Sequence, residues 1–147
     1  MKKVATPDDE VVGIALKRSG DQSAAMASYE QALAVYEQSL GPDHPDTLMV
    51  LNNQATLLRD AGDLRRAEVL YRKALAGCEH TLGEGHPDTA DTLSNLAVLL
   101  QMTGDRGAAI TCLRRALETL NNVYGDSHPD TEWTAQRLAA LESQVTT

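Results

Sequence analysis

The sequence predicts an all-α fold of tandem helix-turn-helix repeats. Three observations predict it. A motif, His-Pro-Asp-Thr, occurs at 44–47, 86–89 and 128–131, each copy 42 residues after the last. Between the copies, apolar residues recur in steps of three and four, the period of one helix face. Gly-Asp pairs and prolines punctuate those helical patterns at the same 42-residue spacing. Composition agrees. Phe is absent, Trp occurs once, and Ala and Leu are plentiful, which suits helices packed through small and aliphatic side chains.

The elements follow in order. "TPDD" at 6–9 is a helix-start signal like HPDT, placed four residues late in the repeat frame. A first short helix is therefore expected from near Pro7, one turn shorter than its copies. Gly20-Asp21 ends it. The first long helix carries Ala25, Tyr29, Ala32, Leu33, Tyr36 and Leu40 on one face. The second short helix runs from about Pro45 to Asp60, with Leu51, Ala55 and Leu58 facing the core. The next long helix follows Gly62-Asp63 and presents Leu64, Ala67, Leu70, Tyr71, Ala74, Leu75, Cys78 and Leu82. A third short helix spans about Pro87 to Met102, with Leu93, Leu96, Ala97 and Leu100. After Gly104-Asp105 the last long helix presents Ala109, Cys112, Leu113, Ala116, Leu117, Leu120 and Tyr124. A final helix occupies about 129–145.

The repeated punctuation has a local physical basis. Gly41, Gly83 and Gly125 suit the ends of long helices, and Gly62 and Gly104 those of short ones, through the left-handed cap conformation. Asp63 and Asp105 can then cap the long helices that follow. Pro45, Pro87 and Pro129 suit the first helical position, where a missing amide hydrogen costs nothing. Each proline pushes the preceding His into the extended geometry of a helix N-cap. Asp46, Asp88 and Asp130 lie in the first turn and complement the helix dipole.

A metal reading of the three His-x-Asp pairs fails on distance. Each pair belongs to a different repeat, and stacked helices lie about 8–10 Å apart. Zinc–nitrogen bonds are about 2 Å, so one ion cannot gather the histidines. No metal or cofactor is expected. Cys78 and Cys112 take core positions eight places apart in the repeat frame, about 12 Å along a helix. A disulfide needs Cα atoms within about 7 Å, so both are expected to be buried reduced thiols.

Charge and composition exclude several functions. The formal net charge is −8, which disfavours nucleic acid and anionic membranes. No apolar stretch approaches the roughly 20 residues of a membrane span. The opening "MKKVATPDDE" lacks the apolar run of a secretory signal. A cytoplasmic location is the expectation. There is no Gly-rich phosphate loop, nucleophile elbow or paired zinc signature, so no enzyme is expected and no catalytic residue is assigned.

These residues resemble the tetratricopeptide repeat, whose pattern is W-x₂-L-G-x₂-Y, then A-x₃-F, then a closing proline. Leu51, Gln54, Ala55 and Leu58 take its first four positions, as do Leu93, Leu96, Ala97 and Leu100 in the next copy. Ala67 with Tyr71, and Ala109 with Leu113, take the second pair. The closing proline is replaced by Glu79 and Asn121, and the unit is longer than the usual repeat of about 34 residues. "LNNQA", "LSNLA", "AEVLYRKALA" and "LG..HPDT" are similar to the 42-residue variant of kinesin light chains. Gln54 is the clearest misfit, a polar residue at a usually apolar position. Glu142 stands where Leu58 and Leu100 stand in earlier copies, as suits a terminal helix facing water.

The resemblance implies a single domain over 1–147, with units at about 6–41, 42–83 and 84–125 and a capping helix at 129–145. It implies seven helices wound into a right-handed superhelical solenoid, the short helices lining a concave groove. Positions opposite the core face then follow from the helical period. They are Met49, Asn52, Thr56, Arg59 and Asp60, then Asp91, Ser94, Val98, Gln101 and Met102, with Asn53 and Asn95 at the edge. The first helix adds Glu10, Ile14, Lys17 and Arg18, and the last adds Trp133, Gln136 and Ala140.

Lys17, Arg18 and Arg59 either compensate helix dipoles or form a basic lip for an acidic side chain of a bound segment. Asn53 and Asn95 carry both a donor and an acceptor, and groove asparagines in related proteins clamp peptide backbones. The other reading of them is a bond to a neighbouring helix end. Arg137 replaces this Asn in the last helix. Trp133 is either a contact residue or, as a lone Trp more often is, packing over the end of the array. Met102 is likewise groove contact or packing. The expected function is a protein-interaction scaffold that binds a peptide or partner segment. The alternative is self-association into a homo-oligomer, or assembly into a larger complex, through Trp133, Leu138 and Leu141.

Overall fold

The structure is a computed structural model that describes residues 22–145. Those residues form helices α1 (Gln22–Ser39), α2 (Pro45–Asp60), α3 (Leu64–Thr81), α4 (Pro87–Thr103), α5 (Arg106–Tyr124) and α6 (Pro129–Val145), with no strand among them. The expected helix near Pro7, and with it Glu10, Ile14, Lys17 and Arg18, lies outside the described residues. The chain divides into two compact units, Met1–Thr81 and Leu82–Thr147.

The HPDT motif works as a start signal. His44 and His86 take extended N-cap conformations, with φ/ψ of −65/140° and −90/140°. The ring of each accepts a hydrogen bond at Nδ1 from the amide two residues on: Asp46 at 3.1 Å and Asp88 at 3.0 Å. His128 repeats this with Asp130 at 3.1 Å. The Nδ1 lone pair is thereby used on the chain's own backbone. Among the described residues no three His, Cys, Asp or Glu side chains gather as metal ligands.

The glycines work as stops. Gly62 and Gly104 have φ of +90° and +91°. Beside each, two amides return to the last turn: Gly62 to Arg59 O and Asp63 to Leu58 O, Gly104 to Gln101 O and Asp105 to Leu100 O. This is the Schellman pattern of helix termination. Asp63 and Asp105 then accept the amides of Arg66 at 3.3 Å and Ala108 at 3.2 Å, capping α3 and α5.

The threonine of the motif has a role that the sequence reading did not assign. Thr47 and Thr89 are fully buried. Their hydroxyls donate to the carbonyls of Gly41 and Gly83 at 2.8 Å, tying each short helix to the glycine that ends the long helix before it. The third copy departs. Thr131 is as deeply buried, but its hydroxyl has no hydrogen-bond partner. There Tyr124 stacks on His128, ring centroids 4.3 Å apart.

In the first unit α2 packs against both α1 and α3. Leu51, Ala55 and Leu58 are buried as expected. Val50 and Leu57 are buried too, in a cluster with Ala25, Tyr29, Ala32 and Tyr36 of α1. The three expected core residues are therefore fewer than half of the eight that α2 buries. On the α3 side, Gly77 admits Leu48; a Cβ added at Gly77 would overlap Leu48 Cδ2. The Thr56 hydroxyl meets the Tyr71 hydroxyl at 2.6 Å. Burial holds that phenol above its ordinary range, more than the Thr56 bond and Arg59 lower it. Gln54 is buried. Its amide Nε2 donates to Met26 Sδ at 3.5 Å, while Oε1 has no partner.

In the second unit α5 packs against both α4 and α6. Leu93, Leu96, Ala97 and Leu100 are buried, and so are Thr92 and Leu99. The last helix shows how the unit closes. Thr131, Thr134, Leu138 and Leu141 are buried, while Glu132 and Ala139 are exposed. These two replace Ala90 and Ala97 of the preceding copy, both buried. Glu142 is half-buried and accepts from Arg114 Nη2 at 3.1 Å. Leu138 and Leu141 thus belong to the core and offer no surface for self-association. Leu40 and Tyr124, expected on core faces, are 42% and 45% exposed. They fall just after or at the last residue of their helices, beyond the reach of the packed turns. Cys78 and Cys112 are buried and not joined in a disulfide.

Candidate partner-binding faces

In the first unit the candidates lie on α2. Met49 is 45% exposed, and Asn52 and Asn53 are half-buried. Neither asparagine is without a partner within the chain. Thr56 is occupied by Tyr71 and also donates to Asn52 O at 3.0 Å, so it is a bridge to α3. Arg59 Nε lies 3.4 Å from Asp60 Oδ1, and its side chain is only 17% exposed. The expected basic lip is therefore part-buried and neutralised by the next residue at this position.

In the second unit the candidates lie on α4 and α6. Asp91 and Met102 are exposed, while Ser94, Asn95, Val98 and Gln101 are half-buried. Asn95, like its counterpart Asn53, is not without a partner. On α6, Gln136 and Ala140 are exposed. Trp133 is 43% exposed, so it does not pack as a buried plug.

A cluster that the repeat frame did not foresee joins the two helices. Arg137 Nη2 donates to Gln101 Oε1 at 2.8 Å. The same guanidinium lies 5.2 Å from the centroid of the Trp133 ring. Trp133 and Arg137 are four residues apart and so share a helix face. That spacing was legible; the partner Gln101, thirty-six residues away, was not.

The N-terminal side of this face is acidic. The Asp91 carboxyl is pushed up to about 6. Partial desolvation is the main cause. The Asp130 and Asp88 carboxylates add to it, and His86 opposes them. Asp88 and Asp130 stand 3.9 Å and 4.0 Å from the rings of His86 and His128.

Comparison with known proteins agrees with this geometry. The family model described as tetratricopeptide repeat matches residues 10–80, 67–122 and 88–145. A search of curated proteins found no significant match. Among solved structures, BtubC (BKLC) from P. vanneervenii is similar at 25% identity and a TM-score of 0.85, over 94% of this chain and 55% of that one. The nearly identical TPR-like repeats of a Podosopora anserina protein described as a kinesin light chain give 20% identity and 0.86, over 96% and 67%. The N-terminal domain of stress-induced protein-1 (STI-1) from C. elegans gives 17% and 0.66, over 92% of each chain. The chain thus spans about half the length of BtubC and two thirds of that of the fungal repeats. Repeats of this length, punctuated by HPDT, place the chain in the tetratricopeptide-repeat family, with a fold like that of the kinesin-light-chain repeats.

Proposed function

We propose that the chain is a scaffold that holds a peptide or partner segment in a concave groove lined by its short helices. Tetratricopeptide repeats generally mediate protein–protein interaction, and the fold is that of a non-catalytic scaffold family. The observation that carries the reading is what the short helices leave unburied. Met49 on α2, Asp91 and Met102 on α4 and Trp133 on α6 all stand open, on helices whose other faces are packed.

In this reading the helix pairs wind right-handed, and Lys17 and Arg18, outside the described residues, contribute to partner binding. The partner is a protein, met in the cytoplasm. Among the described residues no helix is long and apolar enough to cross a membrane. Such binding is modest in affinity and carried by a few residues.

The test is an affinity pull-down with the wild-type chain and with Met49→Ser/Met102→Ser, which alters two of the open side chains. Specific partners are expected to be lost while circular dichroism stays helical. Retention of every partner at unchanged recovery would overturn the groove assignment.

A further inference from the structure

The face of the second unit that carries Trp133 is not consumed by packing. Arg137 lies against the indole but leaves 43% of the residue open. Gln101 fastens that guanidinium, on the C-terminal side of Trp133. Asp130 stands one turn on the other side, three residues before Trp133. Asp130 and Asp88 both act on Asp91 of α4, and His86 opposes them. Open apolar surface and carboxylates therefore adjoin on one face, and the nearby arginine is tied away from them.

The surrounding charge has the same sign. From Leu82 to Thr147 the sequence has nine acidic residues against four arginines. Of those four, Arg114 is paired with Glu142 and Arg137 is held by Gln101.

A lysine or arginine side chain matches this arrangement, because it carries an apolar stem and a charged head. An acidic segment would add to the crowding of carboxylates. A purely apolar one would strip water from them without pairing them. We propose that this face receives a lysine or arginine of an extended partner segment, its stem along Trp133 and its head between Asp91 and Asp130. The inference rests on the interaction role above and gives the partner its chemistry: a basic segment of a protein.

Trp133 is the one Trp of the chain, so its emission reports this face directly. The full chain is titrated with a short Lys-Ser repeat peptide at about 0.15 M salt. Gln-Ser and Glu-Ser peptides of equal length serve as comparisons. The expected result is a saturable change with the Lys peptide only. In Asp91→Asn/Asp130→Asn, whose helicity is checked in parallel, the affinity is expected to fall about three- to tenfold.

The proposal is overturned by no saturation with the Lys peptide, by equal affinity in the double variant, or by equal binding of either comparison peptide. A Glu-Ser or Gln-Ser response without a Lys-Ser response would leave the interaction face standing and remove its charge preference. Pull-down partners lost with Met49→Ser/Met102→Ser but kept with Asp91→Asn/Asp130→Asn would do the same.

Discussion

Gly77→Ala is expected to destabilise the first unit, although alanine is the better helix former. Gly77 sits inside α3, where replacing Gly by Ala gains about 1 kcal/mol in propensity. Against this, the new methyl would overlap Leu48 Cδ2 and lie 3.2 Å from Cδ1 and 3.3 Å from Cγ. Leu48 is 3% exposed, so it has no open space to swing into. Overpacking of a filled core costs about 1–3 kcal/mol. The net expectation is a loss of up to about 2 kcal/mol.

The sign should reverse when Leu48 is shortened. Leu48→Ala alone costs about 2–5 kcal/mol. In that background the overlap is gone, and Gly77→Ala should stabilise by about 1 kcal/mol. The assay is urea unfolding of the four chains followed by circular dichroism at constant m-value, read as a double-mutant cycle. A gain of about 1 kcal/mol from Gly77→Ala in both backgrounds would refute the reasoning, because the two sites would then be uncoupled.

Three further outcomes follow from the same contacts. Thr89→Val should cost about 1 kcal/mol by removing the short bond to the Gly83 carbonyl, which keeps the His86 amide at 3.4 Å, whereas Thr131→Val, whose hydroxyl is unpartnered, should be neutral or stabilising by urea midpoint. His86→Ala should cost about 1 kcal/mol through loss of the cap acceptor, and His86→Asn should restore most of it in the same measurement. Asp91 has a folded-state carboxyl raised to about 6, so the folded chain holds its proton longer than the unfolded chain does. Its contribution to stability falls as pH rises from the ordinary aspartate range, about 4, towards 6, and stays low above that. Asp91→Asn should therefore raise the urea midpoint more at pH 7.5 than at pH 4, and an equal gain at both would remove this account of Asp91.

What the sequence determined by itself is what short-range geometry controls. His-Pro-Asp sets a helix start within three residues, and Gly-Asp sets a stop and the next cap within six. Such signals act through φ restriction and local hydrogen bonds, and they are met here whatever the helices later touch. Apolar spacing likewise assigned one face of each helix, and the repeated motifs pointed to the family by resemblance. Tertiary structure decided the rest, because a spacing says which residues share a face but not what lies opposite. It buried Val50 and Leu57 against α1, gave Gln54 a sulfur for a partner and placed Leu48 in the space that Gly77 leaves. It also turned Thr56 towards Tyr71, drew Leu138 and Leu141 into the core, and fastened Arg137 beneath an open Trp133 with Gln101. Each of these depends on how one helix is rotated and set against another, and that is fixed by the packing of side chains distant in sequence.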